Sequence, residues 1–239
     1  MQNAIHLWGD SIGKGVIYDP IRQRYCLAKD RCEKQLTSHG IALVNHSRMG
    51  ATVIDGYADF AAGGVSGEGL AVIEFGGNDC DLDWQAVSRE PQVFHDGKTP
   101  LAEFGEVLRL FARDARARGL EPVFVLPPPL HPERYFDWVC RGLDHEAVLA
   151  YLGDVGHIGR WHACYVEAIR QAARDTDTVT LDLYTPFMRS MDYSSLFCED
   201  GIHPSSRGQH LIAMTVMQAI ADGADRYGRI GTVSASAAH

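Results

Sequence analysis

The chain has 239 residues, 46% of them hydrophobic and 22% charged, enough to bury one sizeable core; a single domain over residues 1–228 is expected, with 229–239 a frayed polar tail. A formal net charge of −9 offers no basic field to a phosphate backbone, which excludes nucleic acid as a partner. No apolar run approaches membrane-spanning length, and Met1-Gln2-Asn3-Ala4-Ile5-His6 lacks the basic and apolar regions of a signal peptide, so the expectation is a cytoplasmic protein without membrane insertion unless a leader has been removed.

In chain order, the first apolar run, Ala4–Trp8, reads as a buried strand and ends in Gly9-Asp10-Ser11-Ile12-Gly13. That places a serine between small residues at a strand-to-helix turn. As G-x-S-x-G it matches a nucleophile elbow, but such an elbow follows a strand in mid-sheet and needs earlier strands beside it, and too little chain precedes Ser11. As a phosphate loop it fails too, because Gly9 and Gly13-Lys14 are too close together and Gly15 stands where a metal-binding Ser or Thr is needed. An ordinary Asp-Ser turn capping the next helix remains open.

Residues 20–39 have helical periodicity and are expected to form that helix. A second strand, Ile41–Asn45, leads into His46-Ser47-Arg48-Met49-Gly50, and Val53–Ala62 reads as a helix. The third apolar run, Leu70–Phe75, contains one residue out of keeping, Glu74, and is followed by Gly76-Gly77-Asn78-Asp79. Residues 81–99 are polar and read as an insertion near the site; Asp79, Asp81, Asp83 and Glu90 copy a calcium-loop spacing, but Trp84 stands where that loop needs glycine, so no metal is expected. Helices over 100–118, 159–174 and 204–221 and strands at Pro122–Leu126 and Val179–Leu183 complete the alternation. Residues 127–158 break it, opening with Pro127-Pro128-Pro129 and carrying Tyr135, Phe136, Trp138 and Tyr151; excursions after a strand's C-terminal end are where such folds build pockets. Strands alternating with helices imply parallel βαβ units, hence a flavodoxin-like three-layer α/β/α sandwich with about five parallel strands. The six scattered cysteines form no C-x-x-C pair and are expected to be reduced.

Near the C-terminus, Asp200-Gly201-Ile202-His203-Pro204 puts a carboxylate and an imidazole three residues apart, where both can reach one spot from a single turn. A serine hydroxyl needs such a base to take its proton, and the base needs an acceptor on its other nitrogen. Any one of these histidines, asparagines or glycines alone would more often be structural. Four blocks in order, each beside an expected strand or helix, are a stronger signal.

In those blocks, Gly9-Asp10-Ser11, Asn45 to Gly50, Gly76 to Asp79 and Asp200 to Pro204, the chain resembles the SGNH (GDSL) hydrolase family. The resemblance implies Ser11 as nucleophile, His203 as base, Asp200 as its orienting acid, and an oxyanion hole from the Ser11 and Gly50 backbone amides with the Asn78 side-chain amide. It also implies a small-molecule ester substrate, a carboxylic or O-acetyl ester by the range of the family, and no cofactor. Asp10 and Asp79 are expected to hold loops by local hydrogen bonds. A thioesterase or lipase of the same family, or a silent binding module on the same fold, stays open, as do the acyl group and the oligomeric state.

Overall fold

The computed structural model describes residues 4–223; the tail expected over 229–239 lies outside them. A five-stranded parallel sheet forms the centre, from β1 (Ala4–Gly9), β4 (Leu43–Asn45), β5 (Gly69–Glu74), β6 (Leu120–Leu126) and β7 (Val179–Asp182), in the order β4-β1-β5-β6-β7. With β1 numbered first among the sheet strands, this is the 2-1-3-4-5 order of flavodoxin-like sheets, whose crossovers diverge beside the first strand and open a crevice at the strands' C-terminal ends. Ser11 follows β1 and Asn78 follows the neighbouring β5, so the topology brings these two blocks to that crevice.

One face is covered by α2 (Val53–Ala62), α4 (Leu101–Ala117) and α7 (His157–Thr176). Here Trp8, Phe60, Ile73, Phe104, Phe111, Phe124 and Ile169 form the main core. Thr52 caps α2 with its hydroxyl accepting the Asp55 N–H while the Asp55 carboxylate takes the Thr52 N–H, a capping box that fixes the start of the helix. The opposite face carries α1 (Cys32–Ser38) and α9 (Ser206–Gly223) and is covered less completely, because α1 is only seven residues long: Leu70 and Val72 of β5 stay half-buried while Ala71 and Ile73, facing the main core, are buried.

The helix expected over residues 20–39 is not what forms. Val16–Asp19 (β2) and Arg24–Leu27 (β3) pair antiparallel as a hairpin, and only Cys32–Ser38 is helical. The physical reason lies in Val16, Ile17, Tyr18 and Tyr25, β-branched and aromatic residues that favour strands, and in Asp19, whose carboxylate accepts the Ile21 and Arg22 N–H groups and bends the chain back. The two segments set apart as insertions contain helix as well: α3 (Trp84–Arg89) in the first, α5 (Pro132–Val139) and α6 (His145–Leu152) in the second. They pack on one another around Leu82, Val87, Tyr135, Val148 and Ile158 as a second small core beside the crevice. The last helix starts at Ser206 rather than Pro204, since Pro204 is held in a bridge to Phe197. A short α8 (Tyr184–Met188) and a 3₁₀ turn, Tyr193–Leu196, precede that bridge.

Candidate active site

Ser11 stands on a tight turn beyond β1. Val16 N–H closes onto the Ser11 carbonyl at 2.9 Å, and the Asp10 carboxylate accepts Ile12 N–H at 2.8 Å, so the loop is fixed on both sides of the hydroxyl. His203 arrives from the far end of the chain on an equally constrained turn. Asp200 Oδ1 accepts the N–H groups of Ile202 and His203, each at 3.1 Å, a short Asx-type turn of the kind Asp readily forms. Gly201 holds φ +72° there, and a Cβ at that position would stand 2.4 Å from Tyr135 N, so the turn needs glycine for both conformation and space.

The two turns bring the side chains into one line. His203 Nε2 is 2.9 Å from Ser11 Oγ, and His203 Nδ1 is 2.7 Å from Asp200 Oδ2. All three are buried, with Asp200 fully so. Burial pushes the Asp200 carboxyl up, but the imidazole beside it and the two backbone N–H groups outweigh that and hold it below the usual range. An acceptor on Nδ1 selects the tautomer that leaves Nε2 with its lone pair toward the serine.

Asn78 lies at the edge of the same crevice, beyond β5. Its Nδ2 donates to Asp10 Oδ2 and to the Ala51 carbonyl, both at 3.1 Å, so both amide hydrogens have protein acceptors. Among the described residues neither the Ser11 nor the Gly50 N–H is given to a protein acceptor. Gly50 is exposed with φ +78° and nothing within 4 Å of where a Cβ would stand, so the demand for glycine there is conformational. Asp79 uses Oδ1 for Val53 N–H and the Thr99 hydroxyl and Oδ2 for Gly76 N–H, tying the Asn78 turn to the start of α2; its burial pushes the acid up to about 6.

A cavity of about 60 Å³ opens from Ser11, His203 and Asn78, walled by Leu130, Leu152, Ile158, Trp161, Trp84 and Tyr135. The polar groups of Trp84, Tyr135 and Trp161 are spent internally. Asp81 accepts from Trp84 Nε1 at 2.9 Å and from the Tyr135 hydroxyl, and Trp161 Nε1 donates to the Cys80 carbonyl at 2.8 Å. These walls therefore present apolar surface, with the His157 ring as a polar group among them. The same bonds, with Lys98 Nζ at 2.7 Å, occupy the Asp81 carboxylate that the calcium-like spacing singled out, and Asp83 accepts Ala86 N–H as the cap of α3.

Two further residues come to the site unannounced by any motif. Tyr25 of the hairpin lies with its ring 4.9 Å from that of His203, and burial, then the Asp200 charge, pushes its hydroxyl up. Glu74, the odd residue of its strand, is buried with Oε2 accepting the N–H groups of Asp10 and Gly13. A carboxyl in an otherwise apolar strand is itself the sequence signal; the hairpin contact had none.

The model of the GDSL-like lipase/acylhydrolase family matches residues 7–211 of the chain. In three dimensions the protein is similar to the lipase/acylhydrolase from Enterococcus faecalis, with a TM-score of 0.64 at 18% identity over 91% of this chain and 95% of that one. It is also similar to LAE5, an α/β hydrolase enzyme from the Lake Arreo metagenome (TM-score 0.63, 17% identity, 96% and 97% covered). A GDSL-like lipase from Bacteroides thetaiotaomicron aligns with a TM-score of 0.60 at 15% identity, over 92% and 89% of the two chains. At these identities the likeness is one of fold. No curated protein sequence matches the chain significantly.

Proposed function

The chain belongs to the GDSL-like lipase/acylhydrolase family, and on that footing we propose that it is a serine esterase that hydrolyses a small carboxylic or O-acetyl ester through an acyl-enzyme on Ser11. The observation that carries this reading is the continuous line Ser11 Oγ, His203 Nε2, His203 Nδ1, Asp200 Oδ2, with its 2.9 and 2.7 Å separations. Nucleophile, base and orienting acid each have the partner that their role requires.

The Ser11 oxygen attacks the ester carbonyl carbon as its proton passes to His203 Nε2, and Asp200 stabilises the imidazolium. The oxyanion draws on the Ser11 and Gly50 N–H groups and on the Asn78 amide, which shares or gives up one of its two internal bonds as charge develops. Collapse breaks the bond to the alcohol, which leaves with the proton from Nε2. A water deprotonated by the same nitrogen then attacks the acyl-enzyme, releasing the acid and returning the proton to Ser11. The cavity beside Ser11 holds a group of only a few heavy atoms, which favours a short acyl chain.

A fluorophosphonate probe tests the assignment directly. The wild-type chain should be labelled and should hydrolyse short-chain p-nitrophenyl esters, while Ser11→Ala should lose labelling and turnover with an unchanged melting temperature. Wild-type-like turnover by Ser11→Ala would sink the reading.

A further inference from the structure

Glu74 ends directly behind the turn that carries Ser11. Its Oε2 accepts Asp10 N–H at 3.2 Å and Gly13 N–H at 3.1 Å, so one carboxyl oxygen holds the backbone on both sides of the nucleophile. The fit is specific to this side chain. A Cβ added at Gly9 would stand 2.6 Å from Glu74 Oε2, and one added at Gly13 2.9 Å from it and 2.8 Å from Ser47 Oγ, so both glycines keep clear the space that the carboxyl and the Ser47 hydroxyl occupy. Asp10, whose N–H is one of the two groups held, reaches forward with its own carboxylate to Asn78 Nδ2 at 3.1 Å. Buried Glu74 and Asp10 and part-buried Asn78 thus form one chain from behind the serine to the far side of the crevice.

We propose that Glu74 is a positioning residue for the Ser11 reaction: by holding the Asp10 and Gly13 N–H groups it sets Ser11 Oγ against His203 and, through Asp10, aims the Asn78 amide. This rests on the esterase reading. Burial, then the nearby Asp10 charge, pushes the Glu74 acid well above the carboxylate range, which favours its neutral form. Neutrality matters for the chemistry, because a second anion beside Asp10 would oppose the negative charge developing on the substrate oxygen. It also leaves the acceptor function intact, as a carboxylic acid keeps its carbonyl lone pairs.

The test compares Glu74→Gln, which keeps an acceptor oxygen and the shape of a neutral acid, with Glu74→Met, which keeps the length and removes the acceptor. For each, melting temperature, kcat and KM on a short-chain p-nitrophenyl ester, and the rate of fluorophosphonate labelling are measured. Glu74→Gln should recover most of the wild-type rate. Glu74→Met should lose about 10²-fold in kcat with KM little changed, and labelling should slow in parallel, because a shift of the nucleophile of about 1 Å carries that penalty. Glu74→Leu, which is shorter and likewise offers no acceptor, should move kcat and labelling the same way and decides the matter if the Met variant does not fold.

Wild-type kcat and labelling in folded Glu74→Met, or in Glu74→Leu where the Met variant is unfolded, would show that Glu74 only fills space and would overturn the proposal. So would a Glu74→Gln variant as impaired as Glu74→Met, which would make charge the operative property. Failure of the wild-type chain itself to be labelled overturns the esterase reading, and this proposal with it; a labelled wild type with indifferent variants overturns this proposal alone.

Discussion

Asp200 takes hold of His203 twice, through Oδ2 on the ring Nδ1 at 2.7 Å and through Oδ1 on the backbone N–H at 3.1 Å. One carboxylate three residues upstream therefore fixes both where the imidazole is attached and which way it faces. An imidazole held in this way needs no second segment of chain to orient it, and the middle of the sequence is left free to build the opposite wall of the crevice.

Asp200→Asn separates the two holds. The amide oxygen can still accept the Ile202 and His203 N–H groups, so the turn should persist and the melting temperature change little. At Nδ1 an Asn NH₂ pointing at the ring favours the wrong tautomer and stabilises no imidazolium. The expected loss is about 10⁴-fold in kcat, smaller than the loss on the order of 10⁶ expected for Ser11→Ala. Steady-state kinetics check this; raised KM with intact kcat would make Asp200 a substrate contact instead.

His162 gives a prediction about stability. It is fully buried on α7, stacked on Tyr184 with ring centroids 6.3 Å apart, and burial pushes its pKa down to about 4. In the unfolded chain it titrates near 6.5. Between those values the unfolded state binds a proton that the folded state refuses, so stability falls as pH drops from about 6.5 to about 4, by on the order of 3 kcal/mol in full. Buried Asp10 and Asp79, both raised to about 6, act in the opposite direction over an overlapping range, since the folded state keeps their protons longer. The difference between two chains isolates the histidine. His162→Leu should lose less stability than wild type on acidification across this window, read as the gap between their denaturation midpoints at pH 7 and pH 4.5. A constant gap would show that His162 is protonated in the folded protein.

Much of this was legible in the sequence, and the parts that were not share a cause. The five strands are short apolar runs whose burial dictates their type, and each was expected within three residues of where it lies. Ser11, Asp200 and His203 stand in motifs whose local turns deliver them to the crevice once the sheet order is set. The hairpin at Val16–Leu27 was hidden because its ordering contacts are tertiary: Tyr18 packs edge-on against Trp138 at 4.8 Å, and Tyr25 lies against His203. Periodicity within the segment carries no record of those partners. The bonding of Asn78 to Asp10 and Ala51 was likewise invisible, since it depends on three loops meeting.

The apolar cavity predicts a limit on acyl length that one wall residue sets. Leu152, at the end of α6, is buried and lines the cavity. Leu152→Ala should lengthen the cavity and shift the preferred p-nitrophenyl ester from acetyl or propionyl toward longer chains, at a stability cost of about 2–3 kcal/mol for the truncated core contact. The ratio of kcat/KM for hexanoate to that for acetate is the measurement. An unchanged ratio in a folded variant would place the acyl group elsewhere.

Asn78→Ala is the most discriminating substitution, because the structural task that the geometry gives Asn78 and the chemical task proposed for it report on different axes. Its amide donates to Asp10 and to the Ala51 carbonyl, so removing it leaves two buried acceptors short of a donor and should lower stability by about 1–3 kcal/mol. That loss follows whether or not the residue takes part in the reaction. The chemical task appears only in turnover. If the amide turns one hydrogen to the substrate oxygen as charge develops, its deletion should cost about 10²–10³ in kcat, with little change in KM because the bond strengthens only in the transition state. Kinetics are therefore measured well below the variant's melting temperature, where every molecule is folded. A variant that melts low yet turns over at the wild-type rate would confine Asn78 to tying loops together, and the oxyanion would then rest on the Ser11 and Gly50 N–H groups alone.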